Sequence, residues 1–198
     1  MKHRKPVLDR RKVVAEILEN RGDALVVAGL GAPCWDIAAV DKSPLNFYTW
    51  GGMGGAAMIG LGLALAQPRR RVLVITGDGE MLMGLGSLAT VGVQQPRNLA
   101  VIVLDNERYG ETGMQLTHTR LGVDLAGVAK ASGFRTTGTV YTAAQLRSWI
   151  TRFHRQSGPV FADIKVTTQP APMVLPVRDG ATLRDRFRQA LLGEKALA

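Results

Sequence analysis

The chain has 198 residues, 46% of them hydrophobic, which is most simply one globular domain with a sizeable core; no apolar run reaches transmembrane length, and the basic start MKHRKPVLDRRK lacks the apolar segment of a secretory signal. The net charge of +9 gathers in Lys2–Lys12 and Arg178–Arg188 without interleaved aromatics or a recognition motif, which argues against nucleic acid and for a solvated surface that attracts small anions. A single cysteine, Cys34, rules out an intrachain disulfide and fits a reducing cytoplasm.

Asp9 can cap a helix running through Asn20, with Val13, Val14, Ile17 and Leu18 on one face and Gly22 as its stop. ALVVA, Ala24 to Ala28, is a short buried strand, and GLGAPCWD then turns. NFYTW reads as a strand leading into GGMGG and a helix from Met53 to Ala66. RVLVIT is a strand, Glu80 to Val93 is helical, and Leu99 to Asp105 is another strand, followed by a polar loop to about Gly122. Helices near Asp124–Ser132 and over Thr142–Gln156 precede the strand PVFADIKV. QPAPMVLP is a proline-rich connector, and a last amphipathic helix begins near Thr182. Unbroken apolar strands alternating with helices predict an α/β fold, a doubly wound and mostly parallel sheet covered on both faces.

Ligands of such sheets sit beyond the carboxyl ends of the strands, which makes GLGAPC, GDGE and DNERYG the candidate segments. The first contains Gly29-x-Gly31, but Cys34 stands where a dinucleotide fingerprint needs its third glycine, so that reading is set aside. Asp78 and Asn106, 28 residues apart, each close an apolar strand with a helix between them. A strand–helix–strand crossover makes the two strands parallel and brings both tips to one edge. Either residue alone reads as a helix or turn cap. Paired at this spacing, they offer a carboxylate and an amide oxygen as hard ligands for Mg²⁺, which also takes waters and substrate phosphate oxygens. Gly77 and Gly79 let backbone N–H groups approach a phosphate, and the helix starting near Glu80 adds its positive end.

GDGEMLMGLGSLATVGVQQPRNLAVIVLDNERYGETG resembles the signature of thiamine diphosphate-dependent decarboxylases, and WGGMGGAAMIGLGLALA resembles the segment that precedes it. The opening NRGDALVVAGLGAPCWDIAAV and the tail from Pro176 are similar to the small-subunit type found in sulfopyruvate decarboxylase, and phosphonopyruvate decarboxylases share the architecture. The resemblance implies that Asp78, Asn106 and the backbone carbonyl of Arg108 ligate Mg²⁺. It places Gly79 and Glu80 against the diphosphate, with Gly31 and Cys34 at its other end, Cys34 standing where a serine is usual. Gly51 would offer its carbonyl to the aminopyrimidine. Met53, which alone reads as core filler, would wedge between the cofactor's rings and bend it. Tyr109 and Gly110, next in the chain, complete the cofactor set. Glu111, Thr112 and His118 are the catalytic candidates, and Gln115, Thr117, His118 and Arg120 could pair with a second anionic group such as a sulfonate. The resemblance also implies that the glutamate activating the pyrimidine comes from a pyrimidine-binding partner subunit in a hetero-oligomer. The implied activity is decarboxylation of a small anionic 2-oxo acid. A carboligase resembling acetolactate synthase and a non-catalytic cofactor-binding or regulatory module are the alternatives.

Overall fold

In the computed structural model, which describes residues 5–49 and 51–197, Asp9 accepts a hydrogen bond from Lys12 N at 2.8 Å and opens α1 (Arg10–Leu18). The expected stripe of Val13, Val14, Ile17 and Leu18 is buried. Lys2 to Arg4 of the basic segment, and Trp50 at the end of NFYTW, lie outside the described residues.

The chain continues through β1 (Leu25–Ala28), α2 (Ala32–Val40), β2 (Asn46–Tyr48), α3 (Ala56–Ala66), β3 (Val72–Gly77), α4 (Asp78–Met83), α5 (Ser87–Gln94) and β4 (Leu99–Asp105). A two-stranded hairpin, β5 (Arg108–Tyr109) with β6 (Gln115–Leu116), and a 3-10 turn at His118–Leu121 follow. Then come α6 (Leu125–Ala131), β7 (Thr136–Val140), α7 (Ala143–Arg155), β8 (Val160–Lys165) and α8 (Gly180–Leu192). Asp124, Thr142 and Asp179 cap the last three helices through side-chain bonds to backbone N–H groups three residues on.

Six strands form one sheet in the order β2-β1-β3-β4-β8-β7, and every neighbouring pair is parallel. Successive side chains of a strand point to opposite faces, and here both faces are dry. Val26 and Ala28 of β1 join a core with Ile17 of α1, Ile37 of α2 and Phe153 of α7. Leu25 and Val27 join the other core with Leu61 of α3, Leu88 of α5 and Leu125 of α6. This double burial is why the strands read as unbroken apolar runs. At one edge, α8 covers β2, with Phe187 edge-on to Phe47 at 5.5 Å between ring centres. Among the described residues no helix is long and apolar enough to cross a membrane.

Three local expectations change, and one strand stands where the apolar pattern predicts none. The turn expected over GLGAPCWD is shorter: α2 begins at Ala32, with Pro33 in its first turn. The helix expected from Met53 starts at Ala56, because Gly54 has φ +84°, a left-handed conformation that no helix accommodates. The single helix expected over Glu80–Val93 is two, α4 and α5, divided at Gly84 to Gly86. There the backbones of Gly54 and Gly84 meet so closely that a β-carbon on Gly84 would lie 2.2 Å from Gly54 O. Strand β7, Thr-Thr-Gly-Thr-Val, has little apolar signal because it is a half-buried edge strand, and Gly138 in it lies under the Trp149 ring.

Candidate active site

The sheet order contains a reversal. From β1 the chain moves to β2 on one side, then crosses back so that β3 pairs with β1 on the other. Helices leaving β1 and β3 therefore diverge, and a crevice opens beyond their carboxyl ends. The structure forms a cleft of about 390 Å³ there, walled by the loops after β1, β3 and β4. All three strand-end segments singled out in the sequence thus meet at one place.

Gly77 of β3 pairs with Leu104 of β4, so Asp78 and Asn106 leave adjacent parallel strands within one residue of the same register. Both line the cleft, with Gly77, Gly79, Arg108, Tyr109, Gly110, Glu111 and Thr112. Gly31, Met53 and Glu80 line it from the other side. The glycines have steric reasons. Gly31 has φ +82°, and a β-carbon there would lie 2.6 Å from a Glu111 carboxylate oxygen. One on Gly79 would lie 2.7 Å from the Tyr109 ring, which covers that turn. Met53 is 38% exposed on the rim.

Asp78 is 2% exposed, and its Oδ2 accepts from the Thr117 hydroxyl at 2.5 Å. Burial, with the neighbouring Asp105 carboxylate, pushes its carboxyl up to about 8 against the pull of the Thr117 bond. Behind it lies a buried charge cluster. Lys165 Nζ bonds Asp105 and stands 3.3 Å from Asp163 Oδ2 and 3.9 Å from Glu107 Oε1. Burial disfavours the ammonium, but the Asp163 and Asp105 carboxylates outweigh that and raise Lys165. Asp163 in turn is held well above the usual carboxylate range by burial and by Asp105. Asp78 and Asp163 thus both crowd the Asp105 carboxylate, and a divalent cation at Asp78 would favour the ionised form of that side chain. Among the described residues no group of three or more His, Cys, Asp or Glu side chains converges to cage a metal. One carboxylate beside an amide and open cleft volume suits Mg²⁺, which keeps waters and phosphate oxygens as ligands.

Several residues expected at the cofactor or the substrate stand off the cleft wall, Gln115, Thr117 and Arg120 among them. Cys34 is fully buried behind the wall; its thiol donates to Gly29 O at 3.0 Å and is pushed up to about 12 by burial, then by Glu80. Gly51 is exposed and off the cleft wall, and so is His118, whose turn carries it outward while its neighbours Thr117 and Thr119 point inward. Glu80 lines the cleft, yet its carboxylate serves the scaffold: it accepts from the Thr76 hydroxyl at 2.5 Å and from Ala56 N at 3.2 Å, the first amide of α3. Burial raises its carboxyl above the ordinary range. Of the polar loop residues, Thr112 bonds Gln115 at 2.9 Å, and Arg120 stands 3.7 Å from Glu107.

Sequence reasoning missed two parts of the wall. Arg10, at the start of α1, lines the cleft while its guanidinium bonds the fully buried Asp36 of α2. Arg11 shares that carboxylate at 3.0 Å and also donates to Pro172 O at 2.6 Å, so one positive charge is left over. The connector residues Thr168 to Ala171 close the same side. Only the arginine pair at the head of a capped helix hinted at this, and its partner Asp36 is remote in sequence.

A crevice at a switch point, flanked by glycine turns and an acid–amide pair, matches a family known from its sequence pattern. Residues 31–164 fit the model of the thiamine pyrophosphate enzyme C-terminal TPP-binding domain, and the chain belongs to that family. Within it the chain is similar to sulfopyruvate decarboxylase subunit beta of Methanothermobacter thermautotrophicus, 37% identical over 187 residues that cover 94% of this chain and 97% of that one. It is 42% identical over 131 residues to the subunit of the same name from Methanocaldococcus jannaschii, covering 66% and 69%. Phosphonopyruvate decarboxylase of Streptomyces viridochromogenes is 48% identical over 113 residues, which are 57% of this chain and 28% of that one. The solved Rhodococcus jostii thiamine diphosphate-dependent 4-hydroxybenzoylformate decarboxylase shares the fold, with a TM-score of 0.68 at 18% identity. The match covers 86% of this chain and 36% of that longer one.

Proposed function

We propose that this chain is the diphosphate-binding subunit of a cytoplasmic, heteromeric decarboxylase that acts on a small 2-oxo acid carrying a second anion, a sulfonate or a phosphonate. The observation that carries the reading is the register of β3 and β4, which delivers Asp78 and Asn106 together to a glycine-flanked crevice. Asp78, the Asn106 amide and the backbone carbonyl of Arg108 would hold Mg²⁺, and the turns at Gly31 and Gly77 to Gly79 would hold the diphosphate. Bound thiamine diphosphate supplies the electron sink that a 2-oxo acid needs to lose CO₂.

The chain's own residues bind and orient. Glu80 fixes the loop that presents Met53 by holding the first amide of α3. Tyr109 shields the Gly79 turn from one side. Arg10 and Arg108 bring positive charge to the cleft, where Arg10 is one of two guanidinium groups on a single carboxylate. The activating glutamate comes from a partner. Glu80 is committed to Thr76 and Ala56, and Glu111 lies over Gly31 at the head of α2. The names of the relatives agree with a partner, since they designate a beta subunit.

The test is calorimetry of thiamine diphosphate uptake with and without Mg²⁺, followed by turnover of sulfopyruvate and phosphonopyruvate. Magnesium-dependent uptake lost in Asp78→Ala, and turnover only after a second polypeptide is added, are the expected results. Undiminished uptake by Asp78→Ala ends the metal assignment, and brisk turnover by the chain alone ends the divided site.

A further inference from the structure

The hairpin from Glu107 to Thr117 forms the outer wall of the cleft through Tyr109, Glu111 and Met114. Backbone N–H groups fasten its base, two of them on side-chain oxygens: Glu107 N donates to Asp105 Oδ1 at 2.8 Å, Arg108 N to Asn106 Oδ1 at 2.9 Å, and Thr117 N to Glu107 O at 3.1 Å. One further tie comes from a side chain. Thr117 is fully buried, and its hydroxyl donates to Asp78 Oδ2 at 2.5 Å. It also stands 2.9 Å from the Thr119 hydroxyl, which donates to Asp105 Oδ1 at 2.9 Å. Two adjacent hydroxyls of one loop thus each hold a carboxylate, one beyond β3 and one ending β4.

We propose that Thr117 is a positioning residue that orients the Asp78 carboxylate for the cation and makes the order of the hairpin depend on cation occupancy. The inference rests on Asp78 being a metal ligand. A carboxylate anchored through one oxygen loses its free rotation, so its remaining acceptor capacity faces a fixed direction. Groups that orient a metal ligand in this way are worth roughly 10–100-fold in metal affinity. The coupling runs both ways. A cation on Asp78 would in turn fix the carboxylate in the orientation that meets Thr117, so an occupied site holds the base of the hairpin more firmly. The hairpin carries cleft residues, so the metal would shape the substrate wall through this tie as well as through the Arg108 carbonyl.

The experiment measures the Mg²⁺ concentration for half-maximal thiamine diphosphate uptake in the full chain, alone and assembled with its partner. Thr117→Val keeps the shape and removes the donor, and is expected to raise that concentration roughly 10–100-fold. Thr117→Ser restores the donor and should stay within about threefold of the parent, which a merely structural role for the methyl would not give. Hydrogen exchange reads the coupling: amides of residues 107–121 should gain protection on loading with Mg²⁺ and thiamine diphosphate, and gain less of it in Thr117→Val, while β7 at the far edge does not change. An unchanged Mg²⁺ requirement in Thr117→Val, with Asp78→Ala defective, overturns the positioning role and leaves the metal site standing. Undiminished uptake by Asp78→Ala removes both. Exchange at 107–121 that ignores loading overturns the coupling, whether or not the valine variant folds.

Discussion

Replacing Glu80 by alanine tests whether a residue of the cleft wall is a scaffold element. The side chain is buried and accepts from the Thr76 hydroxyl and from Ala56 N, so its loss leaves the first amide of α3 and a buried hydroxyl without their acceptor. An unsatisfied buried donor costs about 1–3 kcal/mol, and two such donors, eased by partial access of water, give about 2–4 kcal/mol. For a chain of this size each kcal/mol moves the melting temperature by about 2–4 °C, so Glu80→Ala should melt about 4–16 °C lower. Glu80→Gln can keep both contacts with the Thr76 hydroxyl turned round, and should lose no more than about 1 kcal/mol. Burial raises the native carboxyl above its ordinary 4.5, so the folded state holds this proton more tightly than the unfolded chain. The stability this contributes is complete below 4.5 and is lost as pH rises through the native value. Thermal melts of the parent should therefore fall over that window more steeply than those of Glu80→Gln. Alanine and parent melting within a degree of each other, or parallel pH profiles for parent and glutamine variant, would refute the scaffold role.

Arg10→Ala should weaken binding of the anionic oxo acid by about 10–100-fold in KM, the range of a charge-assisted hydrogen bond, while Asp36 keeps Arg11 at 3.0 Å and the fold persists. His118→Ala, outside the cleft wall, should leave that KM within about twofold, since distant surface substitutions change little. Gly84→Ala would place its β-carbon 2.2 Å from Gly54 O, and should cost about 1–3 kcal/mol while loosening cofactor uptake through the displaced Met53 loop, read by melting and calorimetry. The Cys34 thiol, buried and pushed up to about 12, should react with iodoacetamide at pH 8 at least about tenfold more slowly in the native chain than in urea, checked by mass spectrometry.

The sequence by itself determined the layer plan and the class of site. Doubly buried strands betray themselves as unbroken apolar runs, and Asp9, Asp124 and Thr142 cap helices through contacts three residues long. The Gly77-Asp78-Gly79 turn and Asn106 were legible because each ends an apolar run, and a crossover leaves no choice but a shared edge. What only the tertiary structure decided depends on neighbours distant in the chain. Periodicity cannot say that β3 pairs with β1 rather than β2, yet that reversal opens the cleft. Nor can it say that Gly54 will press against Gly84 and divide a helix, or that Cys34 and His118 will turn away while Arg10 and Thr117 turn in. Local spacing encodes which face of an element is apolar; which polar side chain meets which carboxylate is settled only when the faces pack.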